Sequence, residues 1–491
     1  MSTPLSTLTR CCVVMVASAA LWIGASPRLI ADEVSPETKK PIDGIWQGVM
    51  KVGAIELRLI VRIENDGKGG LKAVIDSPDQ GAKGIPVDSV TLEGDALKIE
   101  SKKIKAVFEG KLSDDRTVSK GEWKQGGSAF PLQLKRLDKE PDLSRPQEPK
   151  KPYPYVEEEV RYENTAAKIT LAGTLTLPKS NGPVPAVLLI TGSGAQDRDE
   201  SLLGHKPFLV LADHLTRRGM AVLRVDDRGV GGSTGETSSS TTDDFTGDVL
   251  TGVAYLKGRK EINPRQIGLI GHSEGGLVAP LAASRSSDVA FIVMMAGTGV
   301  SGEEIIYHQG ALIAKAMGAS DLALAAARTG QERIFKIVKE ETDLAKAEEE
   351  IRKAVAEQVA ADTSTKPEAK KALEAQADAQ VKTILTPWYR FFLKYDPVPA
   401  LRKVVCPVLA INGEKDLQVD PKQNLPPIEQ ALKEGGNRDY TVKLLAGLNH
   451  LFQHAQTGSP AEYGKIDETI APEALRLMAD WIVERTAGRQ P

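Results

Sequence analysis

The stretch that decides the fold is IGLIGHSEGG, at residues 267–276. Its first four residues predict a buried strand, and the apolar run that follows Gly276 predicts a helix. Between the two lies G-x-S-x-G, a pattern typical of a serine held on a sharp turn from strand to helix. Such a turn brings backbone segments close together, which the small residues around Ser273 permit. The stretch therefore predicts an α/β protein with a candidate nucleophile at Ser273.

A second stretch, GGSTG at residues 231–235, also matches G-x-S-x-G, so the motif alone decides nothing. It follows Asp226-Asp227-Arg228 rather than a strand, and it leads into a Ser/Thr run rather than a helix. Because the reactive turn requires a strand before it and a helix after it, we predict that Ser233 lies in a loop.

A serine nucleophile needs an adjacent base and an acid, which follow it here in the order acid, then histidine. A predicted strand at 408–411 leads into NGEKD, which ends at Asp416, and another at 441–445 leads into AGLNH, which ends at His450. Open α/β sheets place their sites just beyond the carboxyl ends of strands. We therefore predict Ser273, Asp416 and His450 as a catalytic triad. The alternatives that stay open are Glu414 or Asp420 as the acid and His454 as the base.

Acyl transfer also needs backbone N–H donors for the oxyanion intermediate. One is expected from Glu274, the residue after the nucleophile. The other is expected from the TGSG loop that follows a predicted strand at 186–190, and we predict Ser193, with Gly194 as the alternative. The charged residues that follow, at 196–200, are interpreted as a loop locked by its own ion pairs.

Six stretches resemble bacterial α/β-hydrolases described as esterases or serine aminopeptidase-like hydrolases. In chain order they are TGSGAQDRDE, DDRGVGGS, IGLIGHSEGG, PWYRFFLKYDP, INGEKDLQVD and GLNHLF. The resemblance covers most of residues 156–491 and implies an α/β-hydrolase fold, carboxylester hydrolysis and an N-terminal β domain fused to the hydrolase. The resulting prediction is a serine hydrolase that cleaves carboxylic esters through an acyl-enzyme intermediate. The alternatives are a serine exopeptidase and, in another class, a non-catalytic binding protein.

The composition changes along the chain in a way that predicts several domains. Short alternating strands separated by turn signals predict a small all-β sandwich or barrel at 41–138, and five prolines predict a semi-rigid linker at 139–155. Strands alternating with helices predict the catalytic domain at 156–491. Residues 300–400, rich in Ala, Glu and Lys, predict a helical lid inserted into it. Aromatic residues near its end either form the lid's own core or line a substrate pocket: Trp388, Tyr389, Phe391 and Phe392.

The N-terminal residues predict export. One arginine precedes an apolar run at 11–25, which is too short to span a bilayer comfortably. This pattern is typical of a secretory signal peptide at 1–31, with cleavage after Ala31 or Ala25. Its removal leaves Cys406 as the single cysteine, so no internal disulfide is expected. We therefore expect a periplasmic or secreted protein that has no membrane span after cleavage.

The charge and the metal-ligand spacing exclude other classes of protein. A formal charge of −3, from 63 Lys and Arg against 66 Asp and Glu, lacks the basic excess typical of nucleic-acid binders. No Cys/His cluster has the spacing of metal ligands, so we expect no metal and no other cofactor. The expected partner is a small-molecule ester or a short peptide, and the sequence does not indicate an oligomeric state.

Overall fold

The computed structural model describes residues 41–487, apart from 53–54, 81, 142–144 and 362–379. The described chain divides into two compact units. The first contains residues 41–145 together with Ser201–His205, and the second contains the remainder. The division between residues 145 and 146 falls inside the segment that the sequence predicts as a linker. The predicted signal peptide at 1–31 lies outside the described residues.

The first unit contains one nine-stranded antiparallel sheet. Its strands are β1 (Gly44–Val52), β2 (Ile55–Asn65), β3 (Leu71–Ser77), β4 (Ala82–Pro86), β5 (Ser89–Glu93), β6 (Ala96–Ser101), β7 (Ala106–Leu112), β8 (Val118–Gln125) and β9 (Ser128–Leu137). The order across the sheet is β4-β3-β2-β1-β9-β8-β7-β6-β5. Strand β5 contacts β3, although no ladder joins the two edges. The sheet is therefore a partly closed barrel. The sequence alone did not distinguish a barrel from a sandwich.

Alternation of apolar and polar residues explains this sheet, because successive side chains of a strand point to opposite faces. In β1 the indole of Trp46 is fully buried and donates to the carbonyl oxygen of Ile42 over 3.0 Å. Residues 201–205 join the unit because the N–H of Leu203 donates to the carbonyl oxygen of Asp79 over 2.7 Å. The sequence assigned this segment to the catalytic domain, and local patterns do not reveal a partner so far away in the chain.

The second unit is built on an eight-stranded sheet. Its strands are β10 (Val156–Asn164), β11 (Ile169–Leu177), β12 (Val184–Ile190), β13 (Ala221–Val225), β14 (Ile262–His272), β15 (Phe291–Met295), β16 (Val408–Gly413) and β17 (Tyr440–Leu445). The order is β10-β11-β13-β12-β14-β15-β16-β17. Strand β11 runs antiparallel to both of its neighbours, β10 and β13, and the six strands from β12 to β17 are parallel to one another. This antiparallel start followed by a crossover at β12 and β13 is the topology of an α/β hydrolase, as predicted.

Helices cover both faces of this sheet and also form an insertion between β15 and β16. They are α1 (Pro207–Arg217), α2 (Thr242–Lys257), α3 (Gly275–Ala283), α4 (Gly302–Ala316), α5 (Asp321–Glu340), α6 (Leu344–Ala361), α7 (Pro387–Lys394), α8 (Val398–Leu401), α9 (Pro421–Glu434) and α10 (Pro472–Thr486). One core packs α2, α3 and α9 on one face of the sheet, and a second packs α1 and α10 on the other. Helix α3 is buried along its whole length, which its apolar sequence GGLVAPLAA permits.

The helical insertion, residues 302–394, contains α4 to α7 and has a core of its own. Tyr307, Phe335, Ile351 and Tyr389 pack together there, and Phe335 stacks on Tyr307 with ring centroids 5.0 Å apart. The helices that the sequence predicts in this region are therefore present in its described part. No helix of the described residues has the length and the apolar character that crossing a membrane requires.

Candidate active site

Ser273 lies on a strained turn between β14 and α3. Its φ is +55°, a left-handed conformation that is uncommon for a residue with a side chain. The turn is held by the N–H of Ser273, which donates to the carbonyl oxygen of Met295 over 2.8 Å. A Cβ atom at Gly271 would overlap the carbonyl oxygen of Gly275, so this close approach requires glycine. Ser273 itself is only half-buried, which leaves its hydroxyl accessible.

Asp416 and His450 come together just beyond the carboxyl ends of β16 and β17. Oδ2 of Asp416 lies 2.8 Å from Nδ1 of His450, and both side chains are buried. Oδ1 of Asp416 accepts two backbone N–H groups, from Gln418 over 2.8 Å and from Val419 over 2.9 Å. Because a carboxylate only accepts, Nδ1 of His450 carries the hydrogen, and Nε2 is left as the basic nitrogen.

His272 connects this pair to the turn that carries the serine. Its Nε2 lies 3.0 Å from the carbonyl oxygen of His450, and the two imidazole rings have centroids 4.8 Å apart. His272 immediately precedes Ser273, so these contacts place His450 beside the candidate nucleophile. The structure therefore pairs Asp416 with His450 and connects His450, through His272, to the turn of Ser273, and the triad itself stays a prediction.

The competing residues have other partners. The carboxylate of Glu414 accepts the N–H of Gly447, and Asp420 caps α9 and contacts His308 over 2.8 Å. His454 is exposed and lies against Glu468 and Glu473. Ser233 lies in the loop between β13 and α2, where its hydroxyl donates to the carbonyl oxygen of Asp226 over 2.8 Å. The geometry thus favours Asp416 and His450 over their alternatives, and Ser233 has a structural partner.

The loop after β12 carries the predicted oxyanion donor Ser193 close to Ser273. A Cβ atom built on Gly192 would lie 3.3 Å from Cβ of Ser273. The N–H of Gly192 already donates to Oε1 of Glu200 over 2.8 Å. The N–H groups of Ser193 and Glu274 donate to no other group within the described residues. These two are therefore available to a ligand, and the assignment of the oxyanion hole to them stays a prediction.

The charged segment at 196–200 is locked by ion pairs, as the sequence suggested. The guanidinium group of Arg198 bonds to both carboxylate oxygens of Asp226, over 2.8–3.1 Å, and Arg224 pairs with Asp199. Glu200 adopts a φ of +52° and ends the segment with its carboxylate buried. The loop that carries Ser193 is thus fixed at both ends by charged hydrogen bonds, which are stronger than neutral ones.

The sequence reasoning missed the carboxyl group of Glu274. It is 4% exposed, and its Oε1 accepts the hydroxyl of Thr242 over 2.6 Å and the indole N–H of Trp388 over 2.7 Å. The side chain of Ser193 also acts on this carboxyl group. Burial raises the pKa of Glu274, although Thr242, Trp388 and Ser193 act in the opposite direction. A charged residue inside an otherwise apolar and small turn was the signal that could have revealed it.

Other buried acids near the turn are also engaged. Burial raises the pKa of Asp227 well above its usual range, and its carboxyl group accepts the hydroxyl of Thr191 over 2.7 Å and the N–H of Gln196 over 2.9 Å. A small cavity adjoins Glu274 and Asp227 and is lined in part by Tyr162 and Phe245. No three His, Cys, Asp or Glu side chains of the described residues are arranged to hold a metal ion.

His272 donates from both ring nitrogens, because each faces an acceptor. Nε2 faces the carbonyl oxygen of His450, and Nδ1 lies 2.9 Å from Oε1 of Glu200. Burial lowers the pKa of His272, but the charge and hydrogen bond of Glu200 and the carbonyl of His450 raise it more, so that the net shift is upward from 6.5. The buried imidazole therefore keeps its proton to a higher pH than an ordinary histidine does.

We expect the stability that His272 contributes to decline as pH rises. Because the pKa of His272 is higher in the folded state than in the unfolded state, its contribution to the free energy of unfolding is complete below about pH 6.5. The contribution is lost as the pH rises through the pKa of the folded state. His272→Gln has no titrating side chain, so the free energy of unfolding should fall more in the wild type than in the variant between about pH 6 and about pH 9. Urea unfolding of both proteins at the two pH values measures this difference. An equal pH dependence in both would contradict the charged His272.

Three comparisons with known proteins bear on this site. The model of a family described as X-Pro dipeptidyl-peptidase (S15 family) matches residues 142–447, which include Ser273 and Asp416 and end just before His450. Esterase EstD of Thermotoga maritima is 29% identical over 330 residues, which cover 66% of this chain and 69% of EstD. The solved structure of the Pyrococcus furiosus esterase Pf2001 aligns with a TM-score of 0.42 and 16% identity, over 70% of this chain and 98% of that chain.

Proposed function

The chain belongs to the X-Pro dipeptidyl-peptidase (S15) family and is a serine hydrolase, and we propose that it hydrolyses carboxylic esters through an acyl-enzyme on Ser273. The observation that carries the proposal is the hydrogen bond between Asp416 and His450 beside the strained turn of Ser273. The similarity to EstD, a protein described as an esterase, supports the choice of ester.

In the first half of the proposed reaction, Oγ of Ser273 attacks the ester carbonyl carbon while Nε2 of His450 takes the hydroxyl proton. Asp416 holds the imidazole in the required tautomer and stabilises the imidazolium that forms. The carbonyl oxygen becomes an oxyanion, which accepts the N–H groups of Ser193 and Glu274. Collapse of the intermediate breaks the bond to the alcohol oxygen, which leaves with the proton from His450.

In the second half, water replaces the alcohol. His450 takes a proton from the water, whose oxygen attacks the acyl carbon and forms a second oxyanion in the same place. Collapse breaks the bond to Oγ of Ser273, which recovers its proton from His450, and the carboxylic acid departs. Both halves use the same three side chains and the same two N–H donors.

The peptidase alternative is favoured by the name of the family, but it requires one more feature. A dipeptidyl-peptidase cuts at a fixed distance from a free N-terminus, so it needs a group that binds the substrate's ammonium, such as an available carboxylate. The carboxyl groups around the serine already accept hydrogen bonds within the protein, and three are buried while that of Asp227 is half-buried: Glu200, Asp227, Glu274 and Asp416. Their engagement supports an ester rather than a peptide substrate.

We expect a preference for esters of at least about 100-fold in kcat/KM. The comparison uses p-nitrophenyl acetate and butyrate against Ala-Pro-p-nitroanilide, all followed by the absorbance of the released product. The anilide carries an ammonium group, and without a partner in the site this group loses the binding energy that a polar site supplies. Its kcat/KM is therefore expected to be the lower one. Faster cleavage of the anilide would overturn the ester proposal and favour the exopeptidase.

The proposal extends to the helical insertion and to the location of the protein. The insertion is proposed to act as a lid, because Trp388 of α7 donates a hydrogen bond to Glu274, the residue that follows the candidate nucleophile in the chain. Export to the periplasm or the medium is proposed from the apolar run at 11–25. The intact mass of the protein recovered from those fractions tests this, and an unprocessed mass would argue against a cleaved signal.

A further inference from the structure

The carboxyl group of Glu274 joins three elements that are separate in the chain. Thr242 begins α2 and Trp388 lies in α7 of the helical insertion, and both donate to this one group. Ser193, in the loop after β12, also lowers the pKa of this group. Thr242 is fully buried, so water does not replace its hydroxyl. Removing one partner of a buried polar group costs more than the average hydrogen bond, and the cluster therefore fixes the relative positions of its elements.

The same cluster contains both of the proposed oxyanion donors. The N–H groups of Ser193 and Glu274 come from different segments, and the Ser193 side chain is near enough to the Glu274 carboxyl group to lower its pKa. Oxyanion donors act at about 2.7–3.1 Å from the oxygen that they stabilise. A displacement of about 1 Å lowers a rate by up to roughly 100-fold. The position of the Glu274 carboxyl group thus sets the spacing on which the hole depends.

Trp388 brings the helical insertion to this cluster in a fixed orientation. The hydroxyl of Thr386 caps α7 by accepting the N–H of Tyr389 over 3.3 Å. The indole of Trp388 stacks on Phe392, with centroids 5.3 Å apart and an angle of 13° between the planes. Phe392 packs in the core of the large sheet, and Tyr389 packs in the core of the insertion. The docking of α7 therefore decides whether the indole N–H reaches Glu274.

We propose that Trp388 is a positioning residue that couples the docked helical insertion to the oxyanion hole through its hydrogen bond to Glu274. The inference rests on the proposed function of the site and adds a role for the insertion beyond covering a substrate. Undocking α7 removes a donor from the side chain of Glu274, the residue whose own N–H is one of the two proposed oxyanion donors. The hole is then complete only when the insertion is in place.

The test is Trp388→Phe, which keeps an aromatic ring and removes the indole N–H. We expect kcat for p-nitrophenyl acetate to fall about 10- to 100-fold, less than the largest loss on deleting an oxyanion donor, with KM changed by less than about twofold. The Ki of a trifluoromethyl ketone should rise by the same factor as kcat/KM falls. This analogue forms a hemiketal with the serine, and its oxyanion occupies the hole.

The matched control is Trp481→Phe. Trp481 is a buried tryptophan in α10, whereas Trp388 is half-buried. The indole N–H of Trp481 lies 3.4 Å from the hydroxyl of Thr441 in β17, outside the cluster. Its replacement should leave kcat and the Ki of the ketone within about twofold of the wild type. A general loss of packing would instead lower kcat of both variants alike. It would also lower the urea midpoint of unfolding, which is measured for both.

A second variant, Thr242→Val, removes the hydroxyl that also donates to Oε1 of Glu274. Thr242 belongs to α2, which lies outside the insertion. The two changes should be less than additive in kcat, because both act through one carboxyl group. Unchanged kcat with a raised KM in Trp388→Phe, or full additivity, would overturn the inference. If the wild type prefers Ala-Pro-p-nitroanilide, the ester proposal fails, and the same ratios measured on the anilide still decide the coupling.

Discussion

Ser273→Ala lowers kcat for p-nitrophenyl butyrate by about 10⁴- to 10⁶-fold, with little change in KM. The reason is that the serine supplies the bond-forming oxygen, while binding of the substrate depends on other groups. The residual rate comes from water in a site that keeps its oxyanion donors. The measurement is the steady-state rate of p-nitrophenol release, corrected for spontaneous hydrolysis.

Ser233→Ala is the matched control, because Ser233 occupies the other G-x-S-x-G. Its hydroxyl links the carbonyl oxygen of Asp226 to the N–H of Ala172, which lies 2.9 Å away. Loss of two buried hydrogen bonds lowers the free energy of unfolding by about 1–3 kcal/mol, while kcat of the folded protein stays near that of the wild type. Loss of activity in Ser233→Ala with activity kept in Ser273→Ala would reverse the assignment.

Asp416→Asn lowers kcat by about 10⁴-fold, because it places the histidine in the wrong tautomer. The oxygen of the new amide is expected at the position of Oδ1, where the N–H groups of Gln418 and Val419 require an acceptor. The amide nitrogen then replaces Oδ2 and donates to Nδ1 of His450. The hydrogen of the neutral imidazole moves to Nε2, which no longer accepts the proton of Ser273.

Two neutral substitutions at the competing acids are the controls for Asp416→Asn. Glu414→Gln and Asp420→Asn remove charges from the same loop region without touching Nδ1 of His450. Both are expected to keep kcat within about threefold of the wild type, because neither side chain bonds to His450 and asparagine at 420 can still cap α9. A larger loss in either control than in Asp416→Asn would identify a different acid.

The parts of the site that the sequence predicts are those set by local pattern. The strand, the turn and the helix around Ser273 occupy consecutive residues, so their apolar periodicity and their glycines are visible together. Asp416 and His450 are found because each follows a strand directly, and the ends of parallel strands meet at one edge of a sheet. Chain order and strand ends were sufficient for these residues.

The polar cluster could not be predicted, because its members come from separate elements. Nothing local to Trp388 or Thr242 indicates that both donate to Glu274, and the aromatic residues near 388 fitted a core as well as a pocket. The structure divides them: Tyr389 packs in the core of the insertion, and Trp388 contacts the turn after the serine. The pairing of Glu200 with His272 is hidden for the same reason.

The most direct test of the account is to find which residue forms the covalent intermediate. A fluorophosphonate that resembles an ester reacts with an activated serine, and peptide mass mapping locates the adduct. We expect a single adduct on Ser273, formed at least about 10³-fold more slowly in Asp416→Asn, because activation depends on His450 and its acid. An adduct on Ser233, or equal labelling of Ser273 with and without Asp416, would contradict it.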